Sequence, residues 1–478
     1  MTRPRATRIV ATLGPATMKP GVLEELLEAG VDVCRINGSH STPESIRATT
    51  AAVRAAAAVV GRHVAVLLDL QGPKIRTGPA AAPVPVAAGE VFSLVMDPDL
   101  PASPGRFGTT WPDLVHDLHP GARVLFADGA LEAVVVEVLP AAAPPEVRLR
   151  AVNGGALGAH KGINVPGLAL AAPCLTAKDL EDLAAGVAAG VDWVALSFVR
   201  RAADIDTLRV ELRRLGAADI PVCAKIEKPQ ALDEIDGILA RVEAIMVARG
   251  DLGVEIPLEQ VPIAQKRLIR AANLAGVLVI TATQMLESMM EAPRPTRAEA
   301  TDVVNAILDG TDAIMLSGET AAGRFPLEAV AAMVRLAEAA EGSAFLHLPP
   351  LEDLPAIPDV GSTVARAACF AVRERPRPLV VFTWSGFSAI VASKSRPPCA
   401  LFALTPRADT AHKLALAWGV TPLLVPEIAG DGAAMIAAAE RALLERGLVR
   451  EGDEVVILTG RTHERGSTNT LTVERVRA

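Results

Sequence analysis

The chain has 478 residues, too many for one ordinary core, and half of them are hydrophobic, which argues against global disorder. Its 47 basic and 55 acidic residues leave a net charge of −8 with no long basic block, so neither nucleic acid nor an anionic membrane is an expected partner. Five scattered cysteines without a CxxC pair fit a reduced, cytoplasmic setting and not structural zinc, and we expect no signal peptide and no bilayer-spanning run.

Taken in order, apolar runs of strand length begin near Arg8, Val31, Val64, Val191, Pro221, Ala244, Val277 and Asp312. Each ends in polar or glycine-rich residues, and most lead into a helical pattern. Apart from one long gap they recur at roughly 30-residue intervals, the period of a (β/α)8 barrel. Strands hidden from water on both faces read as near-continuous apolar runs, as these do. A doubly wound open sheet is the competing arrangement, but it does not gather polar residues from every strand end around one mouth.

The long gap follows the third run. Over residues 74–170, Pro- and Ala-rich turns separate β-like runs at 91–96, 123–127, 131–139 and 147–152. This predicts a small all-β domain on a barrel loop, either a lid over the mouth or an insertion without a role. The barrel then comprises residues 1–73 and 171–344. Residues 345–357 are proline-punctuated and read as a linker. A separate α/β domain over 345–478 follows, with a helix at 362–375 and strands at 379–383, 400–405, 422–425 and 454–459. Within it, the turn at 383–389 joins a strand to hydroxyls, a glycine and a helix start. Such a turn suits an anion, although alone it reads first as a hydroxyl-rich helix cap.

The rest is organised around residues 244–257, AIMVARGDLGVEIP. The apolar run stops at Arg249-Gly250-Asp251. In the preceding run, VCAKIE, a period of two puts Lys225 and Glu227 on one side of the strand. Two neighbouring strand ends thus bring two carboxylates and an ammonium to one point, a set suited to a divalent cation with an anionic substrate.

With ARGDLGVEIP and KIE stand ATQMLESM, PRPTRAEATDV, MLSGETAAGRFP, GPAT near the start and KGINVPG before the fourth strand. Through these motifs, taken in their order along the chain, the stretch from Thr7 to Glu474 resembles the pyruvate kinase family. The resemblance implies a barrel, a lid, a C-terminal effector and assembly domain, and a homotetramer. It implies phosphoryl transfer from phosphoenolpyruvate to ADP, the last step of glycolysis, with Mg2+ or Mn2+ on Glu227 and Asp251. Lys225 then steadies the phosphoryl group, while Gly250, Asp251 and Thr283 receive the substrate carboxylate. Arg35 and Arg76 contact phosphate, Lys161 contacts nucleotide, and Asn37 and His40 stand in the same loop on the nucleotide side. His40 also reads as a loop-packing residue, and Lys178 as either a nucleotide contact or a surface lysine. Ser317 fits a water relay that protonates the enolate.

Potassium-dependent relatives bind the monovalent cation near the positions of Asn37, Ser39, Asp69 and Leu70. They carry glutamate where this chain has Lys74, and commonly threonine-lysine at Leu70-Gln71. The resemblance therefore implies no K+ requirement. Thr383, Ser385 and Ser388 match an effector loop for a phosphorylated activator, and uncharged Phe387 favours a monophosphate. Two more departures stand out. The loop NGSHS has Gly38 and Ser41 where bulkier and smaller residues are usual, which questions its rigidity. Lys228 replaces an asparagine after KIE. Two other readings are a metal-dependent lyase acting on pyruvate enolate and a pseudoenzyme that only senses sugar phosphates. The lid with Arg76 and Lys161 speaks against the first, and the intact set Lys225, Glu227, Asp251 and Thr283 against the second.

Overall fold

The computed structural model describes residues 5–127, 129–167, 173–346, 349, 359–427, 432–460 and 468–477. Eight parallel strands close into a barrel: β1 Arg8–Thr12, β2 Val33–Asn37, β3 Ala65–Asp69, β4 Trp193–Leu196, β5 Val222–Ile226, β6 Ala244–Ala248, β7 Leu278–Ala282 and β8 Ala313–Leu316. They lie at the eight places the apolar runs predict. The open-sheet alternative is excluded, because β1 pairs with both β2 and β8.

Alternation along each strand divides the core in two. Ile9, Cys34 and Val66 face outward into the layer beneath the helices, while Val10, Val33, Ala65, Trp193, Met246 and Ile280 fill the barrel interior. The helices start where side chains can satisfy their free N–H groups. Thr42, Thr176 and Thr296 each form a capping box, and Thr296 Oγ1 accepts from Glu299 N at 3.2 Å. With the strand ends fixed by barrel closure, polar residues that terminate the runs arrive together at the C-terminal rim.

Between β3 and β4 the chain builds a six-stranded sheet that includes Val91–Val95, Arg123–Phe126, Leu131–Leu139 and Glu146–Ala151. Its core stacks Phe92 against Phe107 and Phe126, with ring centroids 5.5 and 5.9 Å apart. Burying each such ring contributes about 1.5–3 kcal/mol. The domain leaves and rejoins the barrel through paired segments: Ile163 N donates to Ile75 O at 2.9 Å, and Lys161 N to Thr77 Oγ1 at 2.8 Å.

The C-terminal domain has a five-stranded sheet ordered Val420–Leu424, Leu401–Thr405, Leu379–Phe382, Glu454–Gly460 and Thr468–Arg475. The last strand, antiparallel and at the edge, is absent from the reading of the sequence. Most of the expected linker at 345–357 lies outside the described residues. The domain seals the base of the barrel. Lys394 and Asp312, both fully buried, pair at 2.5 Å, and Trp193 Nε1 donates to Lys413 O at 3.2 Å. Asp32 gathers Arg5, Arg62 and Arg8 at 2.8, 3.0 and 3.4 Å, while Arg8 Nε donates to Ala417 O across the boundary at 2.8 Å. Burial pushes the Asp32 carboxyl up, but the three guanidiniums outweigh it and hold it below the usual range.

Candidate active site

Five strand ends meet at the barrel mouth. Asp69, which closes β3, accepts from Arg35 Nε at 2.7 Å and lies 3.3 Å from Lys225 Nζ. Lys225 also contacts Glu227 Oε1 at 2.9 Å and donates to Ser197 Oγ at 2.8 Å. Arg35 Nη1 is held by Thr12 Oγ1 at 2.9 Å, so the guanidinium cannot swing. Burial disfavours charge on Lys225, yet Asp69 and Glu227 overcome it and keep the ammonium protonated. Burial likewise pushes Asp69 up, and Lys225 and Arg35 pull it below the carboxylate range.

Glu227 behaves differently. Burial raises its pKa more than Lys225 lowers it, and the charge of Asp251 adds to the rise. Two carboxylates that repel each other while one is withdrawn from water suit a divalent cation. Among the described residues no group of three or more His, Cys, Asp or Glu side chains is arranged to hold a metal ion. A pair of carboxylates would leave most of an octahedral sphere for water and substrate, the arrangement that Mg2+ or Mn2+ accepts.

The helix Arg249–Glu255 begins at the end of β6. Gly250 N donates to Thr283 Oγ1 at 2.7 Å, so that N–H is taken and cannot receive a carboxylate unless Thr283 moves. Asp251, the third residue of this helix, has an N–H without an intrahelical partner. Thr283 has φ 69° and Gln284 φ 53°, left-handed values unusual for such residues. Arg249 holds them there, donating to Thr283 O at 2.7 Å while paired with Asp302 at 2.7 Å.

The loop after β2 is closely packed and hydrogen-bonded despite Gly38. A Cβ on Gly38 would come within 2.7 Å of Asp69 O, so only glycine allows this approach to β3. Asn37 Oδ1 accepts from Ser39 N at 3.1 Å, and Ser41 Oγ donates to Asn37 O at 2.9 Å. Lys178 braces the same loop, donating to Gly38 O at 2.7 Å and Ser41 O at 2.9 Å. Its contacts are those of a loop anchor. Lys74 and Lys161 are exposed and Arg76 is half-buried. Partial burial lowers the pKa of His40, and the positive fields of Arg76, Lys74 and Arg35 lower it further. Leu70, in contrast, is a buried apolar residue beside Asp69.

Residues 4–330 match the pyruvate kinase barrel domain, and residues 362–474 match the pyruvate kinase alpha/beta domain. The chain belongs to the pyruvate kinase family. It is a phosphotransferase. The pyruvate kinase of Mycobacterium intracellulare is 43% identical over 99% of this chain and 98% of its own length. Pyruvate kinase 2 of Synechocystis sp. is 42% identical over 99% of this chain and 80% of its own. The pyruvate kinase of Geobacillus stearothermophilus is 42% identical over 98% of this chain and 80% of its own. No described helix is long and apolar enough to cross a membrane.

Several residues of this pyruvate kinase site carry little signal in the sequence. Ser197 is one: its hydroxyl accepts a hydrogen bond from Lys225 Nζ at 2.8 Å and donates to Leu70 O at 2.7 Å, and only its place just after β4 marks it. Phe198 donates its N–H to Glu227 Oε2 at 2.7 Å from φ 55°, and nothing about a phenylalanine predicts that. Glu319 accepts from Ser317 N at 2.7 Å and Leu286 N at 3.0 Å, fixing the loop after β8. The Ser317 hydroxyl is buried and has no protein partner among the described residues.

In the C-terminal domain, Thr383 Oγ1 accepts from Gly386 N at 2.9 Å, and the Ser388 hydroxyl pairs with Thr468 at 2.7 Å. Gly386 takes φ 88° to start the helix Phe387–Lys394. Thr383 and Ser388 thus serve the turn itself, and Ser385 is the exposed hydroxyl.

Proposed function

We propose that the chain transfers the phosphoryl group of phosphoenolpyruvate to ADP, giving pyruvate and ATP in glycolysis. The observation that carries this reading is Lys225, a protonated lysine held between Asp69 and Glu227 beside Arg35. Phosphoryl transfer through a loose transition state needs fixed positive charge around the moving group more than it needs a nucleophile. Lys225 and Arg35 supply that charge on the barrel side, and neither has to reorganise. Thr283 and the Asp251 N–H orient the substrate carboxylate, with Gly250 contributing if its bond to Thr283 exchanges. Arg76, Lys161, Asn37 and His40 face the nucleotide as the lid, residues 74–170, closes on the barrel, residues 1–73 and 171–344. Glu227 and Asp251 would hold Mg2+ or Mn2+, which supplies further charge neutralisation when bound. The buried Ser317 hydroxyl, with no protein partner among the described residues, supports a role in passing a proton to the enolate through water. A coupled assay of pyruvate formation with and without ADP tests the whole. Formation that needs ADP and yields ATP is expected, and pyruvate released from phosphoenolpyruvate or another acid without ADP would overturn the reading.

Cysteine usage supports a cytoplasmic enzyme, and the family supports a homotetramer built in part through residues 345–478. The positive field of Lys74 on His40 supports a site that works without K+, the Lys74 ammonium standing in near Asn37, Ser39, Asp69 and Leu70. Ser385 at the head of the Phe387–Lys394 helix supports a phosphorylated activator at the 383–389 turn, with Thr383 and Ser388 shaping the turn. Titrating AMP and sugar monophosphates should activate the wild type and leave Ser385→Asp unresponsive, since a carboxylate repels phosphate. Equal activation of both proteins would remove the effector from this turn.

A further inference from the structure

Lys228 departs from the family motif immediately after Glu227, and the site described above gives it no part. Its Nζ lies 2.5 Å from Glu255 Oε1, with side-chain exposures of 13% and 2%. The same oxygen accepts from Asn164 Nδ2 at 3.3 Å. The ammonium also stands 5.6 Å from the centroid of the Phe198 ring, within cation–π range.

Each of these partners belongs to a different working part. Glu255 ends the helix that carries Gly250 and Asp251. Asn164 lies in the strand Ile163–Asn164, which pairs with Arg123–Phe126 of the lid at the point where the chain returns to the barrel. Phe198 donates its N–H to Glu227 Oε2 from a left-handed backbone, a conformation that persists only where the surroundings impose it. A neutral asparagine at position 228 would offer hydrogen bonds but no charge to the withdrawn Glu255 carboxylate, and no cation to the Phe198 ring.

We propose that Lys228 is a positioning residue that couples the lid hinge to the metal carboxylate. Through Glu255 and Asn164 it ties the returning lid strand to the substrate helix. Through the Phe198 ring it holds the N–H that orients Glu227. One ammonium thereby links the three parts that must align before transfer. The inference rests on Glu227 as a metal ligand, so its test separates the two.

Free Mn2+ is measured by electron paramagnetic resonance during titration of the substrate-free full chain, and amide exchange is followed over residues 161–165. Wild type should bind Mn2+ and Glu227→Gln should lose it. Failure of either overturns the metal reading itself, and the proposal with it. Lys228→Met should weaken Mn2+ binding by about 3- to 10-fold, less than the 10- to 100-fold that follows from losing a ligand's own hydrogen-bond partner, because Lys228 acts on that partner through the Phe198 ring. It should also speed exchange at Ile163 and raise KM for ADP more than it lowers kcat. Should that variant fail to fold because Glu255 is left unpaired, Lys228→Met with Glu255→Met buries no charge and carries the same test. Mn2+ affinity equal to wild type would overturn the clamp on Glu227, and unchanged exchange at 161–165 would overturn the tie to the lid. The proposal stands only if both move.

Discussion

Replacing Lys225 with methionine should lower turnover by about 10²–10³-fold or more, the loss expected when one preorganised charge is removed from a developing anion. On the proposed reading the KM for phosphoenolpyruvate should change little, because Arg35 would still meet the ground-state phosphate while Lys225 would act most where charge moves onto the transferring oxygens. The structure makes the substitution informative. Methionine fits the space of a lysine that is 9% exposed, so the packing of β5 survives. What is lost is the ammonium between Asp69 and Glu227, at 3.3 and 2.9 Å. Asp69 keeps Arg35 at 2.6 Å, and Glu227 keeps the Phe198 N–H at 2.7 Å. A buried ion pair broken on one side costs about 3–5 kcal/mol, so thermal unfolding of the variant must be recorded beside its kinetics. Steady-state assays on folded protein then decide. Turnover close to wild type would mean that the phosphoryl group is steadied elsewhere.

Removing potassium should leave the enzyme active. In buffer free of sodium and potassium, with tetramethylammonium holding ionic strength, turnover should match that in KCl. The argument is electrostatic. The charges of Lys74, Arg76 and Arg35 all act on His40, so the exposed lysine adds its field to the loop that carries Asn37 and Ser39, where the proposed cation site lies. Unit charges about 10 Å apart at an effective dielectric near 20 interact by about 1.5 kcal/mol, close to tenfold in rate. Lys74→Glu moves two units of charge, so even with the screening of an exposed side chain it should lose about tenfold or more in potassium-free buffer and recover on adding KCl, since a carboxylate invites the cation that an ammonium repels. Activation of the wild type by KCl to that degree at constant ionic strength would show that Lys74 is a bystander. The variant also separates specific replacement from a general charge effect, because tetramethylammonium is too large to substitute for K+.

The features legible in the sequence are local ones. A strand alternates with period two, so Lys225 and Glu227 had to share a side of β5 wherever that strand ended up. The eight apolar runs recur at the spacing of β/α units, and each ends at the rim where polar residues collect, so the barrel and the place of Arg249-Gly250-Asp251 followed from pattern alone. The composition of residues 74–170 likewise announced a separate sheet. The last strand, Thr468–Arg475, escaped because its burial alternates weakly at an exposed edge and much of its ladder is made with Glu454–Gly460.

What only the tertiary structure decided is which residues from distant strands meet. Asp69 and Lys225 are far apart in sequence, and their contact exists because β3 and β5 both flank β4 in the closed sheet. Ser197 joins them for the same reason. Gly38 reads as a loosening residue in the sequence, but a side chain at that position has no room beside the Asp69 carbonyl. Lys178 resembled a surface cation, and packing of its helix against the β2 loop turned it into an anchor. The left-handed Phe198 and Thr283 run against local preference, so no reading of neighbours could place them. Their backbones are set by long-range contacts, Glu227 accepting the N–H of one and Arg249 binding the carbonyl of the other, and such contacts exist only once the barrel has closed.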